Sequence, residues 1–420
     1  MRVRLAYGQG HLPVEFPDDR TTVIAPSHTP GLPDERAAVL AALQQPLGAP
    51  PLKERVKPAD RVCIAFTDIT RATPNDRIIP WLLEHLSHLP RENVTLLNQL
   101  GTHRPNTPAE LDTMLTPAVA RQYRVVNHEP ENPCALVQLG TTGDGTPALI
   151  NRHLVEADVR IVTGFIEPHF FAGFSGGPKG IIPGCAGLRT VMSNHRSENI
   201  RHPNATFGFT AGNPLWEEIR DVAQRVGPSF LLNVTLNEER HLTGVFAGDL
   251  IEAHSTGCDF VRHSAMQPVG AAFDIVVTTN SGYPLDLNLY QGVKGMSAAA
   301  RIAKPGGLII LASECREGVP VGSSFARLLQ SVVGPDELLK KFDESGPPLP
   351  EQWQVQILAQ IQRQAEVRVF SSLSDEILRA CHLEPCHDIG ADVRDRLDRL
   401  DGQAQVAVLP QGPLTIPYLA

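Results

Sequence analysis

Residues 159–184 read VRIVTGFIEPHFFAGFSGGPKGIIPG, and this stretch decides the fold class. The β-branched run at 159–163 is typical of a buried strand, and Asp158 and Gly164 bound it. The following segment, residues 164–184, contains six glycines and three prolines and is called the glycine-rich loop below. Glycine lets a backbone approach a ligand closely, and open α/β sheets bind ligands beyond the carboxyl ends of their strands. The stretch therefore predicts a binding loop that follows a parallel strand.

Strand and helix patterns alternate on both sides of this loop. Buried-strand patterns at 61–66 and 94–97 are each followed by a helical pattern, and the second helix opens on the capping box at 107–110 and runs towards residue 123. A second series begins with a strand at 273–278 and a helix at 290–303. This alternation predicts an α/β protein with two domains, each with a largely parallel sheet flanked by helices.

The length of 420 residues also favours two domains. We place the boundary near residue 270, where the alternation restarts. The predicted domains are 1–270 and 271–404. Residues 405–420 form a C-terminal strand and tail that fits either domain, including a return to the first.

The composition excludes several kinds of partner. Lys and Arg number 37 against 46 Asp and Glu, so the net charge of −9 offers no basic field for a nucleic acid. The longest apolar runs, such as 307–312, fall far short of the roughly 18 to 20 residues that cross a bilayer. The first residues lack a secretory signal, and the seven scattered cysteines do not suggest a disulfide framework. We expect a cytoplasmic protein with reduced thiols and neither a nucleic-acid nor a membrane partner.

Three histidines lie in polar loops. His103 lies in GTHRP (101–105), His169 in the glycine-rich loop, and His195 in SNHRSEN (193–199). Imidazole is the usual acid or base near neutral pH and a common metal ligand. Any one of these histidines alone is best explained as a buried, hydrogen-bonded side chain. Three of them in similar settings favour a shared site.

Further polar segments complete the candidate site. Lys179 lies in the glycine-rich loop, but no Ser or Thr follows it, so this is not a Walker phosphate loop; a structural crossover with solvated side chains is the alternative. The turn TDITR (67–71) lies between a strand and a helix start, where exposed amides and Arg71 favour an anion, although a surface turn is equally compatible.

The second domain contributes two segments. In YQGVKGM (290–296), Gln291 and Lys294 share a helix face and could hold a substrate carboxylate, although a solvated helix face would look the same. The segment CHLEPCH (381–387) has metal-binding residue types but lacks a second cluster, so we interpret it as structural.

Taken together, these segments resemble the nickel-dependent lactate racemase family, whose members interconvert the stereoisomers of 2-hydroxy acids. The resemblance extends over most of the chain and is most specific in TDITR, GTHRP, the glycine-rich loop, His195 and YQGVKGM. It implies an isomerase, a racemase or epimerase of a lactate-like 2-hydroxy acid. It also implies that the first domain binds the cofactor, that the second completes the substrate cleft, and that cofactor biosynthesis enzymes are partners.

The cofactor that the resemblance implies is a nickel pincer, pyridinium-3,5-bisthiocarboxylic acid mononucleotide, joined to the protein through a lysine thioamide. By matching motif, Lys179 would be that lysine and His195 the protein ligand to nickel. His103 and His169 would be the paired acid/base residues. The remaining matches imply cofactor contacts at Asp68, Ile69, Thr70 and Arg71, and substrate contacts at Gln291 and Lys294. Trp353 is a further candidate for the substrate pocket, with ordinary aromatic packing as the alternative.

In that family the pincer accepts the substrate's Cα hydrogen as hydride, so the resemblance implies a transient 2-keto acid that is reduced on either face. Two bases with pKa values near about 6.5 suit proton transfer at the hydroxyl from either side. The residues alone leave two other readings open. One is a zinc hydrolase with His103, His169 and His195 on one metal ion, and the other is a non-catalytic protein that binds a nucleotide in the glycine-rich loop.

Overall fold

The computed structural model describes residues 1–320, 322–344, 348–400 and 402–420. Two compact units make up this part of the chain. The central unit comprises residues 28–195 and 202–263, and the terminal unit comprises residues 1–27, 196–201 and 264–420.

The strands and helices follow one another closely along the chain. The strands are β1 (Arg2–Tyr7), β2 (Gly10–Glu15), β3 (Thr21–Val23), β4 (Val62–Thr67), β5 (Val94–Gln99), β6 (Arg124–Asn127), β7 (Leu136–Thr141), β8 (Pro147–Asn151), β9 (Val159–Phe165), β10 (Pro168–His169), β11 (Gly173–Phe174), β12 (Ser229–Leu236), β13 (Leu242–Asp249), β14 (Met266–Val269), β15 (Phe273–Thr279), β16 (Ala303–Ala312), β17 (Glu366–Phe370), β18 (Glu384–Pro385), β19 (Val406–Leu409) and β20 (Ile416–Leu419). The α-helices are α1 (Glu35–Gln44), α2 (Leu52–Arg55), α3 (Asn75–His85), α4 (Pro108–Leu115), α5 (Pro117–Gln122), α6 (Arg152–Val155), α7 (Leu188–Asn194), α8 (Ser197–Arg201), α9 (Pro214–Arg225), α10 (Glu252–Ala265), α11 (Leu289–Ala300), α12 (Ser324–Gln330), α13 (Pro335–Glu344), α14 (Gln352–Gln364), α15 (Asp375–Ala380) and α16 (Ile389–Arg399).

The central unit is built on a six-stranded sheet in the order β13-β12-β9-β4-β5-β6. Its strands are parallel except β13, which pairs antiparallel with β12. Along β4, Ile64 and Phe66 pack on one face with α1 and α3, while Cys63 and Ala65 pack on the other with α6 and α9. Because successive side chains of a strand point to opposite faces, a strand covered by helices on both sides must be apolar throughout. The buried run of β4 satisfies this requirement.

The terminal unit has its own six-stranded sheet, all parallel, in the order β18-β17-β16-β15-β19-β3. One face packs against α16 and the β1–β2 hairpin, with Leu5, Ile275 and Val393 fully buried in that layer. The prediction of an α/β protein with largely parallel sheets flanked by helices is confirmed in both units.

The chain passes from the central to the terminal unit between residues 263 and 264, near the predicted boundary, but the terminal unit also includes residues 1–27 and 196–201. Residues 1–27 belong to the terminal unit, because β3 pairs with β19, which in turn pairs with β15. The C-terminal strand also joins that sheet through the pairing of β19 with β15.

The helix predicted from 107 to 123 is interrupted in the structure. Its first part, α4, begins on the predicted capping box of Thr107 and Glu110. Thr116 then has a φ of 73°, a left-handed conformation that no helix interior adopts, and Pro117 starts α5. No helix within the described residues is long and apolar enough to span a bilayer.

Candidate active site

The predicted binding segments lie at the carboxyl edge of the central sheet. The turn 67–71 follows β4, the loop with His103 follows β5, and the glycine-rich loop follows β9. The three strands are neighbours in the order β9-β4-β5, and chain order reverses at β4, because β5 and β6 extend to one side and β9 to the other. Open α/β sheets bind ligands at such a switch point. The topology therefore brings the three segments to the place where a ligand is expected.

Two glycines of the glycine-rich loop let it pack tightly on two buried polar side chains. Gly176 and Gly177 have φ values of 75° and 54°, and a Cβ there would lie 2.4 Å from Asn233 Oδ1 and 2.3 Å from His254 Cγ, respectively. Asn233 Oδ1 accepts a hydrogen bond from the Gly177 N–H at 2.7 Å. His254 Nε2 lies 2.9 Å from the carbonyl oxygen of Ser175, to which it donates. The loop is thus fixed from beneath by side chains that only glycines can approach.

Lys179 lies in a short 3₁₀ helix (Gly177–Gly180) of this loop and meets two of the predicted histidines at one aromatic ring. Its Nζ lies 5.4 Å from the ring centroid of Phe171. The rings of His169 and His195 approach the same Phe171 ring edge-on, with centroids 4.4 Å and 5.1 Å away. Phe171 is therefore the common neighbour of His169, Lys179 and His195.

His195 follows α7 and is only 4% exposed. Its Nδ1 lies 3.0 Å from the Val191 carbonyl oxygen, and since a carbonyl can only accept, Nδ1 carries the hydrogen. Burial, reinforced by the positive charge of Lys179, lowers the pKa of His195 to about 3. At neutral pH the ring is therefore uncharged, with a lone pair on Nε2.

His103 forms a pair with a buried carboxylate. Its Nδ1 lies 2.6 Å from Oδ2 of Asp68, which is 2% exposed, while the other Asp68 oxygen accepts the Thr70 hydroxyl at 2.8 Å. Burial opposes ionisation of Asp68, but the hydrogen bond and charge of His103, with Arg71 and Thr70, outweigh it and lower the pKa of Asp68. Asp68 is therefore ionised near neutral pH and holds His103 by its Nδ1.

His169 is oriented differently, by main-chain groups of its own turn. It ends β10, which pairs antiparallel with β11. Its Nδ1 accepts hydrogen bonds from the backbone N–H groups of Phe171 at 3.5 Å and Ala172 at 3.3 Å.

Hydrogen bonds join these loops to one another. The Gly101 N–H donates to the Gly184 carbonyl at 2.9 Å, which ties the His103 loop to the end of the glycine-rich loop. Asn106 Oδ1 accepts from Asn98 at 2.8 Å and from the Ile69 N–H at 3.4 Å, which ties the turn 67–71 to the His103 loop. The candidate residues of the central unit thus share one linked frame.

The other two predicted residues belong to the terminal unit. Gln291 and Lys294 lie half-buried on α11, three residues apart and therefore on one face. Trp353, predicted as a possible pocket residue, donates its indole N–H to the Tyr290 hydroxyl at 3.2 Å. The substrate contacts assigned to Gln291 and Lys294 stay a prediction.

The structural interpretation of 381–387 agrees with its geometry. Cys381 and Cys386 are buried, and His382 Nε2 lies 2.8 Å from the Leu329 carbonyl oxygen. Throughout residues 1–320, 322–344, 348–400 and 402–420, no three His, Cys, Asp or Glu side chains come together as metal ligands. His103, His169 and His195 therefore do not form the three-histidine zinc site considered from the sequence.

Sequence patterns did not reveal the residues that position the others. Asn233 lies within β12, and His254 lies in the first turn of α10, both remote in sequence from the loop that they support. Neither shows a pattern that separates it from an ordinary core polar residue. Phe171 was visible as one of two adjacent aromatics in the loop, but its contacts with three candidate residues depend on the loop conformation. The pairing of Asp68 with His103 could have been suspected, since both follow adjacent strands.

Fold and site together define an α/β enzyme in which Lys179 and the buried His195 meet at the Phe171 ring, while the Asp68–His103 pair follows the neighbouring strands at the same edge of the sheet. Residues 7–208 match the lactate racemase N-terminal domain, and residues 269–416 match the lactate racemase C-terminal domain. The chain therefore belongs to the lactate racemase family, and it is an isomerase.

Relatives and solved structures agree over nearly the whole length. The chain is 34% identical over 417 residues to lactate racemase of Thermoanaerobacterium thermosaccharolyticum, covering 98% of this chain and 97% of that protein. It is 35% identical over 382 residues to lactate racemase of Lactiplantibacillus plantarum, covering 90% of each. The lactate racemase apoprotein structure from T. thermosaccharolyticum superposes with a TM-score of 0.92 at 32% identity, over 99% of this chain and 100% of that one. A Thermotoga maritima protein with a TM-score of 0.70 at 20% identity, over 94% of this chain and 100% of that one, shares the fold.

Proposed function

We propose that this chain racemises lactate, or a closely related 2-hydroxy acid, by hydride transfer to and from a nickel pincer nucleotide attached to Lys179. The observation that carries the proposal is the meeting of Lys179, His195 and His169 at the Phe171 ring. A tethering amine, a neutral ligand nitrogen and an acid/base imidazole are the three groups that such a reaction needs from the protein.

The residues present fit such a group. His195 uses Nδ1 on a main-chain carbonyl and keeps the Nε2 lone pair, the usual arrangement of a metal-binding histidine. The described part of the chain brings no three ligand side chains together, so a metal ion here would need ligands from another molecule. The pincer, when bound, would supply sulfur and carbon ligands to nickel and a hydride acceptor for the substrate's Cα hydrogen.

The chain's own residues handle the substrate's proton and charge. His103, with Nδ1 held by Asp68, presents Nε2 as the atom that takes the hydroxyl proton. Asp68, Ile69, Thr70 and Arg71 would contact the cofactor, in the turn that the Asn106 side chain fixes. Enzymes that make the cofactor are implied partners, because a lysine does not acquire such a group unaided.

The first test is covalent. Protein coexpressed with cofactor biosynthesis enzymes should show an added mass on the peptide that contains Lys179, contain nickel, and convert each lactate enantiomer into the other. Lys179→Arg keeps a positive charge near Phe171 but cannot form the thioamide, so it should lose both the mass and the activity. Active, nickel-containing protein with unmodified Lys179 would overturn the attachment.

The second test concerns the substrate's Cα hydrogen. Removing it as a proton would create a carbanion beside a carboxylate, which is costly unless that charge is strongly stabilised. Hydride transfer avoids this charge, so Cα-deuterated lactate racemised in ordinary water should keep its label in both enantiomers and show a primary isotope effect. Washout of deuterium at the rate of racemisation would instead indicate proton transfer at carbon.

A further inference from the structure

We infer that His103 and His169 are held in opposite tautomers, so that the neutral protein presents a lone pair at Nε2 of His103 and an N–H at Nε2 of His169. The inference deepens the proposed function, on which its catalytic meaning rests. The two side chains have the same chemistry and follow neighbouring segments of the site. What differs is the group that faces Nδ1 of each ring.

At His103 that group accepts. Asp68 Oδ2 lies 2.6 Å from Nδ1, and the Asp68 carboxylate is buried and ionised. An ionised carboxylate has no hydrogen to give, so Nδ1 must carry the hydrogen of the bond. In the neutral ring the lone pair then lies on Nε2, which is the atom left to act as base.

At His169 the facing groups donate. The N–H groups of Phe171 and Ala172 both point at Nδ1, at 3.5 Å and 3.3 Å. A hydrogen on Nδ1 would meet two other hydrogens, so the lone pair lies on Nδ1 and the hydrogen on Nε2. The donors are main-chain groups of the turn between β10 and β11, so no change of rotamer of a neighbour removes them.

The asymmetry assigns different first steps to the two rings. His103 can take the hydroxyl proton of a bound 2-hydroxy acid at once. His169 carries its hydrogen on Nε2, so it can accept a proton there only after that hydrogen has moved. Asp68 is therefore a positioning residue for His103, a role beyond the cofactor contact that the sequence resemblance implies.

Nitrogen NMR of the unloaded protein tests the inference directly. With ¹⁵N-labelled histidine at a pH about two units above the ordinary histidine pKa of about 6.5, a nitrogen with a lone pair resonates far downfield of one that carries hydrogen. Removing His103 and His169 one at a time, as His→Gln variants, assigns their signals among the 15 histidines. We expect the downfield nitrogen to be Nε2 in His103 and Nδ1 in His169. The same tautomer in both rings would overturn the inference.

Asp68→Asn sharpens the test. The Asn oxygen can keep the Thr70 hydroxyl, which turns the amide NH₂ towards His103 Nδ1. His103 should then switch to the tautomer with hydrogen on Nε2, while the His169 signals, whose donors are main-chain groups, stay unchanged as an internal control. An unchanged His103 pattern in folded Asp68→Asn would contradict the role of Asp68, and the wild-type spectrum still decides the tautomers if this variant does not fold.

Kinetics of the cofactor-loaded protein separate this inference from the proposed function. Asp68→Asn should lower kcat/KM for racemisation by about 10²- to 10⁴-fold, the usual value of a general base. The loss must be equal in both directions, because the enantiomers have equal free energy. If the two tautomers are opposite but the loaded protein does not racemise 2-hydroxy acids, the proposed function is wrong and the tautomer assignment is still correct. A folded Asp68→Asn variant with wild-type kcat/KM would overturn the assignment of His103 Nε2 as base.

Discussion

His195 and His254 are two buried histidines with nearly the same surroundings and opposite consequences. They are 4% and 1% exposed, and burial together with the charge of Lys179 lowers the pKa of both, to about 3 and about 4. Each also hydrogen-bonds to one main-chain carbonyl. His195 does so through Nδ1, to Val191, whereas His254 does so through Nε2, to Ser175.

The choice of nitrogen separates the proposed nickel ligand from a support. His195 bonds back to its own helix through Nδ1, so its lone pair lies on Nε2, the nitrogen at the outer end of the ring. His254 instead uses Nε2 to donate a hydrogen bond to the glycine-rich loop, and its Nδ1 lies 3.7 Å from Sγ of Cys258, one helical turn away. A depressed histidine pKa therefore marks burial in both cases, and the two rings differ in which nitrogen donates to a main-chain carbonyl.

The largest expected effect is that of replacing His195. His195→Ala removes the ligand nitrogen, so cofactor-loaded protein should lose most of its nickel, and its activity should fall by more than about 10²-fold, since even partners of metal ligands are worth 10- to 100-fold. Metal analysis after gel filtration and a racemisation assay measure both. The control is His254→Gln, whose amide NH₂ can still donate to the Ser175 carbonyl and which should keep its nickel.

Equal loss of nickel in His195→Ala and His254→Gln would mean that both histidines act only through the fold. If His103→Ala and His169→Ala lost as much nickel as His195→Ala, that result would instead indicate a site in which all three predicted histidines bind one metal ion.

The next effect is that of removing His254, which supports the glycine-rich loop. His254→Ala leaves the partly buried Ser175 carbonyl without this donor and opens space beneath Gly177, so the free energy of unfolding should fall by about 1 to 3 kcal/mol. Modification of Lys179 during coexpression should also become incomplete, because the loop that presents it is less well fixed. Urea unfolding and intact mass measure these outcomes. A stability equal to that of His254→Gln would show that the hydrogen bond to Ser175 contributes little.

The comparison of His195 with His254 also shows how much of the fold and of the site could be predicted from the sequence. The β-branched runs and the capping box at Thr107 predicted the parallel sheets, because they record local preferences and burial. A shared site for His103 and His169 was predicted because polar loops in similar settings each present a histidine, and the structure brings these loops to one edge because they follow neighbouring parallel strands. His254 could not be found in this way, since it lies in α10 and only packing brings it under Gly177. The pairing of β3 with β19 is likewise a contact between chain ends that no local pattern encodes.

A smaller effect appears in the pH dependence of stability. The pKa of His254 is lowered to about 4 in the folded protein, against about 6.5 when unfolded, so between these values the unfolded state binds more protons. The contribution to folding is complete above about pH 6.5 and is lost as the pH falls towards 4. Between pH 7.5 and 5.5, wild type should therefore lose about 1 kcal/mol more than His254→Gln, whose side chain does not titrate. Parallel losses in urea unfolding of the two proteins would show that His254 is not held neutral by the fold.

The smallest effect concerns Cys258, which lies beside His254 and could be mistaken for half of a nucleophilic cysteine–histidine pair. Its Sγ lies 3.4 Å from His254 Nε2, but the thiol is 3% exposed, and burial raises its pKa far above the usual range. A protonated, enclosed thiol is neither a nucleophile nor a metal ligand, because both roles need the thiolate.

Cys258→Ala should therefore leave racemisation unchanged and leave the Ser175 hydrogen bond in place. It should cost only about 1 kcal/mol of unfolding free energy, for the small space that it opens. In the native protein, iodoacetamide should label the exposed Cys134 and leave Cys258 untouched until urea unfolds the chain. Rapid native labelling of Cys258, or loss of activity in Cys258→Ala, would instead place a reactive thiolate beneath the glycine-rich loop and make His254 its partner rather than the support of Ser175.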